Sequence, residues 1–218
     1  MKKIIAIVTI ASCTLISSCR KDSITGEGSL LTQQRSFAPF SAVQGNADIK
    51  IHVTYGTTVS TEVKGYRNLV EITETYVENG RLIIKYKDGY NNVRNSNVEL
   101  YVVMPVLNSI STNGNGDAWI DGFQNGNSLE ARINGSSNVN ISNSSYDNVI
   151  FDVIGSGDIR AAGLMSKITS ATIHGSGDIE IACSENLKAR IYGSGDIRYW
   201  GNPGLDVQVS GNGNVTRQ

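Results

Sequence analysis

Gly155-Ser-Gly-Asp-Ile159 recurs as Gly175-Ser-Gly-Asp-Ile179 and again as Gly193-Ser-Gly-Asp-Ile197. Weaker copies flank these three: Gly114-Asn-Gly-Asp-Ala118 and Gly135-Ser-Ser-Asn-Val139 before, Gly211-Asn-Gly-Asn-Val215 after. Their first glycines are 21, 20, 20, 18 and 18 residues apart. A period near twenty marks a supersecondary unit too small to bury its own apolar face, so each copy must stack on its neighbours. The pattern predicts an all-β fold, a β-helix-like solenoid with coils of about 18–21 residues, preceded by a less regular β region.

Aligning the copies gives every strand position a direction. Four and two residues before the first glycine stand Ile110/Thr112, Ala131/Ile133, Phe151/Val153, Ala171/Ile173, Ala189/Ile191 and Val207/Val209, in which Thr112 alone is polar. The positions between them are mostly polar, as in Arg132/Asn134 and Arg190/Tyr192. Side chains alternate across a strand, so one column faces a core and the other faces out. The alternation continues past the motif: Ile159/Ala161, Ile179/Ile181 and Ile197/Tyr199 point inward, while Trp119, Arg160, Glu180 and Arg198 stack outward. Each coil therefore reads as strand, corner, strand and a variable return loop. Both corner glycines are expected to allow positive φ, and the aspartates to bond the amides of their own turn.

Stacked aspartates at 158, 178 and 196 would repel by about 1 kcal/mol per neighbouring pair in a water-like dielectric. Turn amides or serine hydroxyls suffice to offset that. A calcium ladder is the sharper alternative, but the motif comes only once per coil and Asn138 and Asn214 replace two of the aspartates. No metal site and no cofactor are expected.

Before the repeats, Asp48 to Val53 and Val59 to Val63 alternate at period two, and Val98 to Met104 is a further strand ended by Pro105. Asn79-Gly80 between apolar runs predicts a two-residue hairpin turn, with a strand from Arg81 to Tyr86. Leu69 to Tyr76 fits either a short helical turn or an irregular strand, and Lys87 to Asn97 reads as an exposed loop. At the start, Lys2 and Lys3 precede an apolar run from Ile4 to Ile16 that is too short to span a bilayer, so residues 1–18 read as a signal peptide. Ile16-Ser-Ser-Cys19 resembles a lipobox, which makes Cys19 the lipidated first residue of the mature chain. The expected organisation is 1–18 signal, 19–35 lipidated flexible tether, 36–107 N-terminal β region and 108–218 repeat region.

Removing Lys2 and Lys3 from 19 basic side chains leaves 17 against 20 acidic ones, a balance that does not favour nucleic acid. With Cys13 in the signal and Cys19 lipidated, Cys183 stands alone and reads as a core residue without a disulfide partner. His52 and His174 sit at outward strand positions without metal-ligand spacing. No catalytic arrangement stands out. The outward residues Trp119, Arg160, Glu180, Arg198, Tyr192 and Trp200 are the binding candidates: the charges read first as cross-strand pairs, the rings as a surface on which a sugar or a partner protein could stack.

The lipobox, the segment Phe37, Phe40, Val43, Gly45, the run Met104-Pro-Val-Leu107 and the repeated Gly-Ser-Gly-Asp-Ile together resemble the head GIN domain family. Its members are grouped as auto-transporter adhesins and are often lipoproteins of Gram-negative gut anaerobes. The resemblance implies a β-helix-like domain anchored at the outer membrane, facing either the periplasm or the outside. It brings no catalytic residues. The leading expectation is a lipid-anchored, non-enzymatic adhesion module whose ligand is a glycan or a surface protein. A structural envelope protein that self-associates through an open solenoid end is the second reading, and a glycan-active β-helix enzyme the third.

Overall fold

The computed structural model describes residues 23–218. The signal segment, Cys13 and Cys19 lie outside the described residues. The fold is nearly all β, with a β-solenoid of about 5 turns. Two parallel ladders run its length on either side of the corners. In the first, Val43, Ile110, Ala131, Phe151, Ala171, Ala189 and Val207 lie in register, one per coil. In the second, Leu100, Ile51, Ala118, Val139, Ile159, Ile179, Ile197 and Val215 do the same. From Leu100 to Ile197 and from Val43 to Ala189 these side chains are buried, and they belong to a single hydrophobic core.

The stack begins earlier than the repeated motif. Ala42–Asn46 and Lys50–Tyr55 pair in parallel with Ser109–Gly114 and Ala118–Asp121, so they form a coil of their own. Arg81–Tyr86 and Glu99–Met104 then pair on the far side of that coil, placing a later stretch of chain beneath an earlier one. Antiparallel strands finish this end: Thr73–Glu78 on Arg81–Tyr86, then Ser60–Tyr66 on Glu99–Met104, with Leu30–Gln34 outermost. The expected hairpin is present, with Asn79 at φ 50° and Gly80 at φ 72°. The ambiguous segment divides into a short helix, Arg67–Val70, and the strand from Thr73; Leu69 and Val70 of the helix are buried against the end of the core.

Three expectations need correction. Residues 23–35 are not a flexible tether, because Ser23–Thr25 pairs with Asn92–Arg94 and Leu30–Gln34 completes a sheet edge. Leu31 there packs against the core, an apolar contact that two adjacent leucines in an otherwise polar stretch do not advertise. The return segments of the later coils are not loops either: Ser144–Gly155, Ile159–Gly175 and Ile179–Gly193 are continuous strands that bend around the core. Inward Leu164, Ser166 and Cys183 lie on them, and the Ser166 and Thr169 hydroxyls bond each other at 2.6 Å so that no polar group is left bare.

The third correction concerns the corner. The first glycines do take positive φ, from 125° at Gly155 to 154° at Gly193. The second glycines do not; their reason is proximity. A Cβ on Gly157, Gly177 or Gly195 would lie 1.9 Å from the carbonyl oxygen of the equivalent residue one coil back. Ser137 occupies that position in the weakest copy, and its hydroxyl meets Thr112 at 2.5 Å inside the core. The only polar member of the inward column and the only serine at the second-glycine position therefore explain each other.

Replacing Gly177 with Ala should destabilise the protein by about 2 kcal/mol or more, since neither backbone can retreat without breaking ladder pairing. Urea unfolding checks this against Ser156→Ala, an exposed corner control expected to change little.

Candidate functional site

The corner aspartates act between coils. Asp178 N–H donates to Asp158 Oδ1 at 2.9 Å, Asp196 N–H to Asp178 Oδ1 at 2.8 Å and Asn214 N–H to Asp196 Oδ1 at 3.0 Å; Asn138 N–H does the same to Asp117 Oδ1 at 2.7 Å. The expected bond to the turn's own amide is replaced because parallel stacking aims the next coil's N–H at the carboxylate. The second oxygens are held from outside: Arg160 Nη2 reaches Asp158 Oδ2 at 2.8 Å, and Arg198 bridges Asp178 Oδ2 at 3.0 Å and Asp196 Oδ2 at 3.2 Å. Guanidinium charge thus offsets the carboxylate repulsion. Among the described residues, no group of three or more His, Cys, Asp or Glu side chains converges as a metal ion would require.

Arg160, Glu180 and Arg198 are register neighbours on the outer face of the second ladder. Their pairing differs from a simple alternation along the column. Arg160 turns to the corner carboxylate two residues back on its own face, and Glu180 is left with Arg198 at 3.8 Å. Together with Asp158 and Asp178 they line a depression of about 160 Å³.

The same column continues toward the capped end as Trp119, His52 and Tyr101. His52 stacks between the two larger rings, 4.8 Å from Trp119 and 4.6 Å from Tyr101, with interplanar angles of 9°. The Lys64 ammonium sits 4.6 Å over the Tyr101 ring. One face of the Trp119 indole is therefore already covered, and Asn140 is its register neighbour on the other side, which leaves its edge for a ligand. Tyr101 donates its hydroxyl to Glu99, which pushes the phenol up to about 12. His52 Nε2 lies 3.5 Å from Glu99 without a hydrogen-bond partner; burial pushes the imidazole below its ordinary value, and the Glu99 carboxylate opposes that shift only in part.

Of the other candidates, Trp200 stands outward on the strand of Arg198, half-buried and in register with Ala182. Tyr192 lies apart, on the outer face of the first ladder, stacked on His174 at 4.8 Å and 10°. Tyr199 and Cys183 are buried as expected. Sequence reasoning missed Tyr101 and the partnership of His52. Aligning Glu99–Met104 as a coil would have found both, since Tyr101 alternates outward between buried Leu100 and Val102. It also missed a cleft of about 510 Å³ beside the first corner, where Asp48, Asn115 and Tyr90 face the loop around Asp88.

A family described as "Putative auto-transporter adhesin, head GIN domain" matches residues 39–203. The chain belongs to this head GIN domain family. A putative adhesin from Bacteroides fragilis shares the fold at TM-score 0.67 and 21% identity, over 89% of this chain and 99% of that one. A putative lipid binding protein from Parabacteroides distasonis gives 0.63 and 20%, over 90% and 100%. A putative adhesin from the same species gives 0.52 and 22%, over 90% and 100%. No curated protein matches. At these identities the likeness to these solved structures is one of fold.

Two outcomes follow from the corner and the stack. Asp178→Ala should cost about 1–2 kcal/mol by stripping the Asp196 N–H of its acceptor, and Asp178→Asn much less, with the melting midpoint unmoved by a chelator or by added calcium. Neutral His52 supports folding above the ordinary imidazole value of 6.5; that support is lost as pH falls from there through the depressed folded value. Melting in acid should accordingly fall more for the native protein than for His52→Phe, which keeps the stacked ring without the titration.

Proposed function

We propose that this protein is a lipid-anchored, non-enzymatic adhesion module of the outer membrane, holding a glycan or a surface protein against the outward columns of its solenoid. Membership of an adhesin family supports an adhesion role at the cell envelope. The anchor comes from the lipobox at Cys19, four residues before the first described strand. That strand, Ser23–Thr25, pairs with Asn92–Arg94 at the capped end of the stack. A lipid on Cys19 would hold that end near the membrane and present the coils outward.

The observation that carries the reading is the continuous outer column from Tyr101 through Trp119 to Arg198. Ring edges at one end and fixed charges at the other offer apolar and hydrogen-bonding groups on a rigid surface, the combination by which sugars and protein loops are held. Its ionisable groups are engaged with one another as ion pairs and stacks, an arrangement suited to recognition.

Residues 23–218 immobilised on a glycan array or used in a surface-protein pull-down should retain a ligand. Arg160→Gln should weaken that retention several-fold while lowering the melting midpoint only slightly, since the exposed ion pair to Asp158 contributes about 0–1 kcal/mol. Failure to retain any envelope or host-surface ligand would remove the adhesion reading, and sugar release from a polysaccharide would replace it with an enzymatic one. Protease shaving of intact cells decides which side of the membrane the module faces.

A further inference from the structure

The two ends of the solenoid are finished differently. At one end the core is closed by Leu69 and Val70, 0% and 1% exposed, and the sheet edges are carried into antiparallel strands. At the other, Gly204–Gly211 is the last strand of the first ladder, and all its residues are exposed. Leu205, Val207 and Val209 are 51%, 44% and 39% exposed, although register sets them on Leu187, Ala189 and Ile191, which are buried. These are core-facing side chains with nothing over them among the described residues. The strand also presents an unpaired row of N–H and C=O groups. It carries none of the usual protections: no proline, no lysine, and a single charge, Asp206, that is tied to Arg190 at 2.6 Å.

We propose that this edge is a seam between two copies of the chain, with Gly204–Gly211 pairing antiparallel to itself about a two-fold axis at Gln208. In that register Val207 faces Val209 and Leu205 faces Gly211 on the core side, while Asp206 faces Ser210 on the outer side. The apolar column becomes continuous across the seam and no like charges meet. Sliding the strands until Asp206 faces Asp206 would oppose two carboxylates, which selects against that register. An isologous contact uses the same edge of both copies and so stops at two; the edges at the capped end, Leu30–Gln34 and Thr73–Glu78, belong to antiparallel pairs, and the second carries Glu74 and Glu78. Arg217 occupies the corresponding inward position of the second ladder but reaches out to Asn202 Oδ1 at 3.2 Å, which confines the seam to the first.

Pairing of these ends leaves the two capped ends pointing apart. Taken with the proposed anchor at Cys19, and resting on that reading, the dimer joins molecules on facing membranes rather than neighbours in one membrane. The adhesion would then be homophilic.

The mass of residues 23–218 in solution, measured across the micromolar range, should rise from one copy to two. Val207→Lys should remain a monomer with an unchanged melting midpoint, because the site is exposed in the single copy. Gln208→Cys should form a disulfide dimer under mild oxidation, since facing residues on antiparallel strands have Cα atoms about 4.5–5.5 Å apart. Asp206→Cys should cross-link at least tenfold more slowly, and the buried Cys183 gives no background. A strict monomer, a mass above two copies, a Val207→Lys variant that still dimerises, or equal cross-linking at 206 and 208 would each overturn the seam. Beads carrying the chain by its N-terminal end should aggregate with the native protein and not with Val207→Lys. Dispersed beads despite a solution dimer would overturn the facing-membrane arrangement alone, and neither result depends on the ligand retention tested above.

Discussion

The carbonyl oxygen of each second corner glycine lies where a side chain on the next coil would begin. At Gly157, Gly177 and Gly195 the gap from an added Cβ to the preceding coil is 1.9 Å. This close approach sets the pitch of the stack at its tightest point, and the regular features of the molecule follow from it. With the backbones so near, Ser156, Ser176 and Ser194 donate their N–H groups to Gly135, Gly155 and Gly175 of the coil behind. The aspartate carboxylates then fall beside the N–H groups of the coil ahead. The corner is a structural spine.

Chemistry is displaced to the columns on either side. An identical direction at each coil brings residues far apart in sequence to within ring-stacking distance, as with Tyr101, His52 and Trp119. Parallel stacking favours flat groups and alternating charges, because each outward side chain sees its register neighbours before it sees solvent. The faces of these rings are consequently shared within the column, and what remains for a partner is their edges and the charged groups beyond them. Rigidity is the gain: a ligand meeting such a surface need not order it first.

The ends obey a different constraint. A solenoid covers each coil with the next, so its first and last coils need another solution. Here the chain closes one end by passing beneath its first coil after Tyr55, where Arg81–Tyr86 and Glu99–Met104 extend the two ladders and antiparallel strands and a short helix finish them, before it rejoins the other side of the stack at Ser109. Among the described residues no such excursion covers the coil at the other end, and the contrast between buried Leu69 and exposed Leu205 follows from that difference.

Sequence by itself determined the coil. The period of the glycines, the inward and outward columns and the Asn79-Gly80 turn are local signals, because side-chain alternation and positive φ are properties of a few adjacent residues. It could not determine what sits on what. Ala42–Asn46 and Lys50–Tyr55 lack the motif yet form a coil, since Ile49 at the second-glycine position is tolerated where the neighbouring coil beneath differs. The order in which Arg81–Tyr86 underlies Ala42–Asn46, the strand at Leu30–Gln34 and the partner of each aspartate are choices between coils. They are made by backbone distances across the stack, and those distances exist only once the chain has folded.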